Sequence, residues 1–89
     1  MDQAVRTALA DFIIEDFLFG DATRLPGDGA SLTDAGVMDS TGVLELIEFL
    51  ESRFGIEVAE SETVPENLDS VAALVRYVSG KRAGLATSA

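Results

Sequence analysis

Between residues 36 and 54 the apolar side chains recur at a helical spacing, and this stretch constrains the fold more than any other. At about 100° of rotation per residue, Val43, Leu46, Ile47, Leu50 and Phe54 fall on one stripe of a helix. Thr41, Glu45, Glu48 and Ser52 follow one another on the opposite side. Leu44 and Glu51 lie on one flank and Phe49 on the other. One face therefore belongs to a core, and the other is left for solvent or a partner. Asp39 and Ser40 carry short oxygen side chains that accept from the free N–H groups of a first turn, so the helix starts here with Ser40 at its mouth.

Two further helices follow from the same spacing. Val5, Ala8, Leu9, Phe12 and Ile13 form a stripe running to about Phe17 or Leu18, with Asp2 as a cap and Gly20 as a stop. Asp16 falls on that stripe, so the core contact should end just before it. Val71, Leu74, Val75 and Val78 occur at i, i+3, i+4 and i+7, after a cap at Asp69 or Ser70 and before a stop at Gly80. Tyr77 belongs at the edge of that helix, and Lys81 and Arg82 suit its negative end.

The connections carry their own signals. Residues 19–38 show no sustained periodicity, and Pro26-Gly27-Asp28-Gly29 marks a turn. Loops beyond about 12–15 residues without structure of their own are uncommon in compact domains. A helical turn near residues 31–35 is therefore expected, with Leu25, Leu32 and Val37 as apolar anchors for the loop that delivers Asp39-Ser40. Gly55 closes the central helix, and Ile56-Glu57-Val58 is a short extended piece with Ile56 and Val58 turned inward. Val64-Pro65-Glu66-Asn67-Leu68 reads as one helical turn, because Pro is favoured at the first helical position. The expectation is an all-α domain over residues 1–80, followed by a flexible tail over residues 81–89.

Composition removes several kinds of function. The chain has 89 residues, 47% of them apolar, which suffices for one small core with a stability of roughly 4–13 kcal/mol. It contains no Cys and no His, so the usual zinc ligands and the Ser-His or Cys-His catalytic arrangements are missing. No metal site and no catalysis by the bare chain are expected. Residues 25–75 hold eleven acids against one base, Arg53, whereas the two ends balance at five acids and five bases. That middle carries the whole net charge of -10, repels nucleic acid and anionic lipid, and attracts basic protein surfaces. No apolar run is long enough to span a bilayer, and Met1-Asp2-Gln3 lacks the basic flank of a signal peptide. A cytoplasmic monomer is expected, since no second apolar stripe is left over.

Taken together, Leu32, Gly36, Asp39-Ser40, Glu45-Leu46, Leu50-Glu51, Phe54 and Ile56-Glu57-Val58 resemble the acyl and peptidyl carrier proteins, with the likeness extending to about Val78. The resemblance implies a four-helix carrier-protein bundle: three main helices, one short helix, and a long loop between the first and second. It implies that Ser40 bears a 4'-phosphopantetheine arm, moved from coenzyme A by a phosphopantetheinyl transferase that uses magnesium. Asp39 would help engage that transferase, beside its role as a cap. Thr41, Leu44, Glu45, Glu48 and Glu51 would be the surface on which partners bearing Lys or Arg dock. The thiol then comes from the cofactor, which suits a chain without Cys.

Two features differ from the carriers of fatty acid synthesis. Thr41 stands where Leu is usual, and Gly42 occupies the opening turn at a cost of about 1 kcal/mol relative to Ala. With the longer segment at Val64-Pro65, these residues look more like stand-alone carriers, loaded by adenylating ligases with amino acids or unusual acids. Downstream acyl-processing enzymes would be the other partners. The competing reading is an unmodified acidic helical adaptor for a basic protein. A two-carboxylate enzyme is a poorer third, because no carboxylate pair or apolar pocket is evident.

Overall fold

The computed structural model describes residues 3–88, with side chains through residue 83. Four helices appear: α1 (Gln3–Phe17), α2 (Ser40–Phe54), α3 (Pro65–Leu68) and α4 (Val71–Ser88). Single 3-10 turns lie at Ala22–Arg24 and Glu60–Glu62. Among the described residues there is no strand, so the chain is a small all-α bundle of three main helices and one short one. No helix in the described residues is long and apolar enough to cross a membrane.

α4 is the element against which the others assemble, touching α1, α2 and α3. Val5, Leu9 and Ile13 of α1 are buried as their spacing predicts, with Ala10 added to them, while Asp16 is exposed beyond the core contact. Leu46 and Leu50 fill the centre from α2, and Val43, Ile47 and Phe54 pack around them half-buried. α4 contributes Val71, Ala73, Leu74 and Val78, with Val75 half-buried. Burying a side chain of this size stabilises by about 1.5–3 kcal/mol before entropy is counted, so these few positions decide whether the domain folds.

Phe49, expected on a flank of α2, packs on the core. Its ring stacks on Phe12 of α1 with centroids 4.1 Å apart and planes within 10°, and Phe54 meets it edge-on at 5.8 Å. An aromatic side chain reaches further sideways than an aliphatic one, which widens the buried stripe of α2 beyond its i, i+3, i+4 positions.

Helix ends follow the sequence where glycine adopts a left-handed conformation. Gly55 has φ +67° and donates to Glu51 O, closing α2. Gly20, with φ +86°, donates to Ile14 O at 2.8 Å beyond the end of α1. Gly80 behaves differently. Its φ is not positive, and α4 continues through it to Ser88, so the expected stop is not taken. The cap expected at Asp2 lies outside the described residues. At α4 the cap is Ser70, whose Oγ accepts the N–H of Ala73 at 3.1 Å. Lys81 serves a different end from the one expected, since its Nζ meets the Glu62 carboxylate at 2.9 Å.

Glu62 is a junction that periodicity does not reveal. The same carboxylate oxygen accepts the N–H of Ala59 and the Tyr77 hydroxyl, fastening the 3-10 turn before α3 onto α4. Tyr77 thus sits half-buried at the edge of α4, with its ring packed and its hydroxyl satisfied.

Candidate functional site

The long connection between α1 and α2 is held at several points. Leu32 is 0% exposed, as deeply buried as any helical leucine in the chain, and Leu25 and Val37 pack half-buried against the same core. Met38 is buried as well, a fourth anchor not read from the sequence. The expected helical turn is present: Ala35 N donates to Ser31 O at 3.0 Å. Gly36 then turns with φ +76°, which returns the N–H groups of Val37 and Met38 to the carbonyl of Leu32. A residue with a Cβ is disfavoured in that conformation.

Polar contacts from both other main helices pin the same loop. Arg6 of α1 grips the Asp28 carboxylate through two hydrogen bonds, at 2.9 and 2.6 Å. The carbonyl of Asp28 accepts the N–H of Ala72 in the first turn of α4. Asp69, just before α4, accepts from the Ser31 hydroxyl, from the Thr33 hydroxyl and from Thr33 N at 2.9 Å, while its carbonyl accepts Leu32 N at 2.7 Å. Burial pushes the Asp69 carboxyl up, but the bonds from Ser31 and Thr33 together outweigh it and hold it below its ordinary value. Asp69 is therefore a clamp on the loop, and Ser70 alone caps α4.

The loop ends at the mouth of α2, where Asp39 and Ser40 have different tasks. Asp39 is the cap: its backbone is extended and its Oδ1 accepts Gly42 N at 2.8 Å. Ser40 is the first helical residue and is exposed. Among the described residues its hydroxyl has no hydrogen-bond partner, and the N–H groups of Ser40 and Thr41 make no backbone hydrogen bond. An exposed hydroxyl and two unpaired N–H groups thus meet at the positive end of a 15-residue helix.

Gly42 is buried, and its place in the opening turn has a steric cause. A Cβ there would lie 3.1 Å from Met38 Cγ and 3.2 Å from Phe17 Cε1. A larger residue at the start of α2 would press on the side chains of Met38 and Phe17, which would have to give way by a few tenths of an ångström. Gly42 therefore lies under the surface on which partners were expected to dock, while Thr41 remains on it.

Of the other residues expected to meet partners, Glu45 and Glu48 are exposed and Leu44 is 64% exposed, large for an apolar side chain on a small domain. Glu51 is exposed but also works within the fold, its Oε2 accepting Val58 N at 3.0 Å. Beside them, between α2 and α3, lies an apolar cavity of about 130 Å³ lined by Met38, Val43, Val64, Pro65 and Leu68, with Thr33, Thr63 and Asp69 at its polar margin. Among the described residues no group of His, Cys, Asp or Glu is arranged to hold a metal ion.

Several curated proteins similar to this chain share one name. A D-alanyl carrier protein of Streptococcus suis is 48% identical over 50 residues, covering 56% of this chain and 61% of that protein. The chain is similar to these carrier proteins over that stretch. The D-alanyl carrier protein of Streptococcus sanguinis is 46% identical over the same length, and that of Streptococcus pyogenes serotype M1 is 47% identical over 47 residues. The match spans about three-fifths of the length of these curated relatives. No protein-family model matches the chain.

Proposed function

We propose that this chain carries acyl or aminoacyl groups as thioesters on a 4'-phosphopantetheine arm attached to Ser40, passing them between biosynthetic enzymes. The observation that carries this reading is the separation of tasks at the mouth of α2. Asp39 takes the capping role by accepting Gly42 N, so the exposed Ser40 hydroxyl is left free for modification.

The residues fit the group. A phosphodiester on Ser40 would meet the unpaired N–H groups of Ser40 and Thr41 and the positive end of α2, an interaction of about 0.3–1 kcal/mol at an exposed position. When bound, the arm supplies the thiol that a Cys-free chain lacks. Asp39 commits Oδ1 to Gly42 N, which leaves the other oxygen to engage the magnesium or a basic group of a phosphopantetheinyl transferase. The chain's own part is to hold Ser40 outward on a fixed helix end; its partner enzymes supply the catalysis.

Thr41, Leu44, Glu45, Glu48 and Glu51 form the surface for those partners, with one flank of α2 offering an apolar contact among carboxylates. Exposed ion pairs of this kind contribute about 0–1 kcal/mol each, which suits a shuttle that must leave after each transfer. The partners are the transferase, an adenylating ligase and downstream acyl-processing enzymes. The names of the relatives support an amino acid as cargo.

Intact mass after incubation with coenzyme A, magnesium and a broad-specificity phosphopantetheinyl transferase tests the reading. One added phosphopantetheine on wild type and none on Ser40→Ala is expected. Full loading of Ser40→Ala overturns the site. No gain on wild type, beside an active control carrier, overturns the carrier role in favour of an unmodified acidic adaptor.

A further inference from the structure

We infer that the groove between the end of α1, the Gly36 turn and the mouth of α2 is a docking seat for a partner protein that presents an apolar side chain flanked by Lys or Arg, with Phe19 as its anchor. The inference extends the carrier reading to a surface beyond the acidic face of α2.

Phe19 is 88% exposed and has φ +55°, making it the one non-glycine residue in the left-handed region among the described residues. Its backbone is fixed on both sides: Leu18 N donates to Ile13 O and Ile14 O, and Gly20 N donates to Ile14 O. The preceding residues turn inward, Leu18 buried and Phe17 half-buried, so the fold has no remaining use for the ring of Phe19. A glycine there would adopt the same φ without strain and would give up no core contact. A large aromatic side chain held outward at a strained position is a cost to the free protein, and such a cost finds its return in contact with another molecule.

The groove behind Phe19 has a volume of about 520 Å³ and an apolar floor of Phe17, Val37 and Met38. Its rim carries the carboxylates of Asp16, Asp39 and Glu45, and no Lys or Arg lines it. An apolar floor with an anionic rim selects an apolar side chain bordered by cations. The site is also continuous with the modification point: Asp39 and Thr41, the two neighbours of Ser40, both line it. A protein that reaches Ser40 from this side covers the groove.

The transferase is the first probe, with Phe19→Gly as the variant because glycine keeps the backbone conformation. At saturating coenzyme A, the apparent KM for Phe19→Gly should rise about tenfold over wild type, with kcat unchanged and Tm equal or higher. An unchanged KM overturns the inference. If wild type gains no arm, the assignment of Ser40 has failed separately. The groove is then tested by amide NMR with a 20-residue helical peptide of Lys and Leu. Saturable shifts at residues 17–20 and 36–41 that disappear in Phe19→Gly support the seat, and equal shifts in the two proteins, or none, overturn it.

Discussion

The Asp69 carboxylate accepts the backbone N–H of Thr33 at 2.9 Å, joining residues 36 positions apart and fixing the turn that delivers Ser40 to the entry of α4. The bond belongs to a group that includes the Ser31 and Thr33 hydroxyls, so one side chain accepts from two hydroxyls and one N–H of that turn. Asp69→Ala should destabilise the domain by about 0.5–1.5 kcal/mol, the usual net contribution of a hydrogen bond whose freed donors can reach water. Because the folded state holds this carboxyl below its ordinary 3.8, its contribution is present above that pH and is lost as pH falls through the lower folded value. Denaturant titrations between pH 5 and acid conditions should show a shallower acid loss in Asp69→Ala than in wild type; parallel curves would remove Asp69 from the acid response.

Tyr77 makes a complementary prediction at alkaline pH. Burial first, and then the hydrogen bond to Glu62, push its hydroxyl up to about 12 from 10.0. A raised folded value stabilises the protonated form, so this contribution is complete below pH 10 and is lost as pH rises through about 12. The chain has one Tyr and no Trp, so the tyrosinate absorbance reports this group alone. A midpoint near the ordinary value would mean that the Glu62 junction is open in solution. Glu62→Gln should move the midpoint down.

At the mouth of α2 the two adjacent residues should respond unequally to truncation. Asp39→Ala removes the cap and should cost about 0.5–2 kcal/mol. Ser40→Ala removes an unpaired exposed hydroxyl and should leave stability within about 0.5 kcal/mol. Urea denaturation of the two variants checks this directly. A larger loss in Ser40→Ala than in Asp39→Ala would reverse the assignment of cap and modification point.

Two glycines in helices should respond with opposite signs to replacement by Ala. At Gly80 a Cβ meets nothing within 4 Å, so Gly80→Ala should stabilise by about 0.5–1 kcal/mol and raise helix content. At Gly42 the Cβ presses on Met38 and on the ring of Phe17. Overpacking costs about 1–3 kcal/mol, which exceeds the gain in helix propensity, so Gly42→Ala should be net destabilising by about 1 kcal/mol. Circular dichroism melts of the pair decide both. A neutral Gly80→Ala would mean that α4 stops contributing at that residue, as the sequence alone suggested.

The local elements were legible in the sequence because their causes are local. The spacing of Val5, Leu9 and Ile13, of Leu46 and Leu50, and of Val71, Leu74 and Val78 specifies one buried face per helix whatever that face meets. Pro65 and Gly55 mark a helix start and a helix end through their own backbone preferences. The candidate site was legible to the same extent: Asp39-Ser40 at the head of an acidic amphipathic helix, with Gly36 before it.

Residue spacing alone specifies three amphipathic helices, a short fourth one, and a serine at the mouth of the central acidic helix. How that serine is held follows from contacts between segments distant in sequence. Asp28 and Asp69 read as a turn residue and a cap, yet both clamp the loop, because their partners at Arg6, Ala72, Ser31 and Thr33 lie far away in sequence. Phe49 left its flank for the stack on Phe12, and Gly42 lies where a Cβ would press on Met38 and Phe17. Periodicity records which side of a helix is apolar, whereas distances between helices and the partners of isolated polar groups arise only when the faces come together.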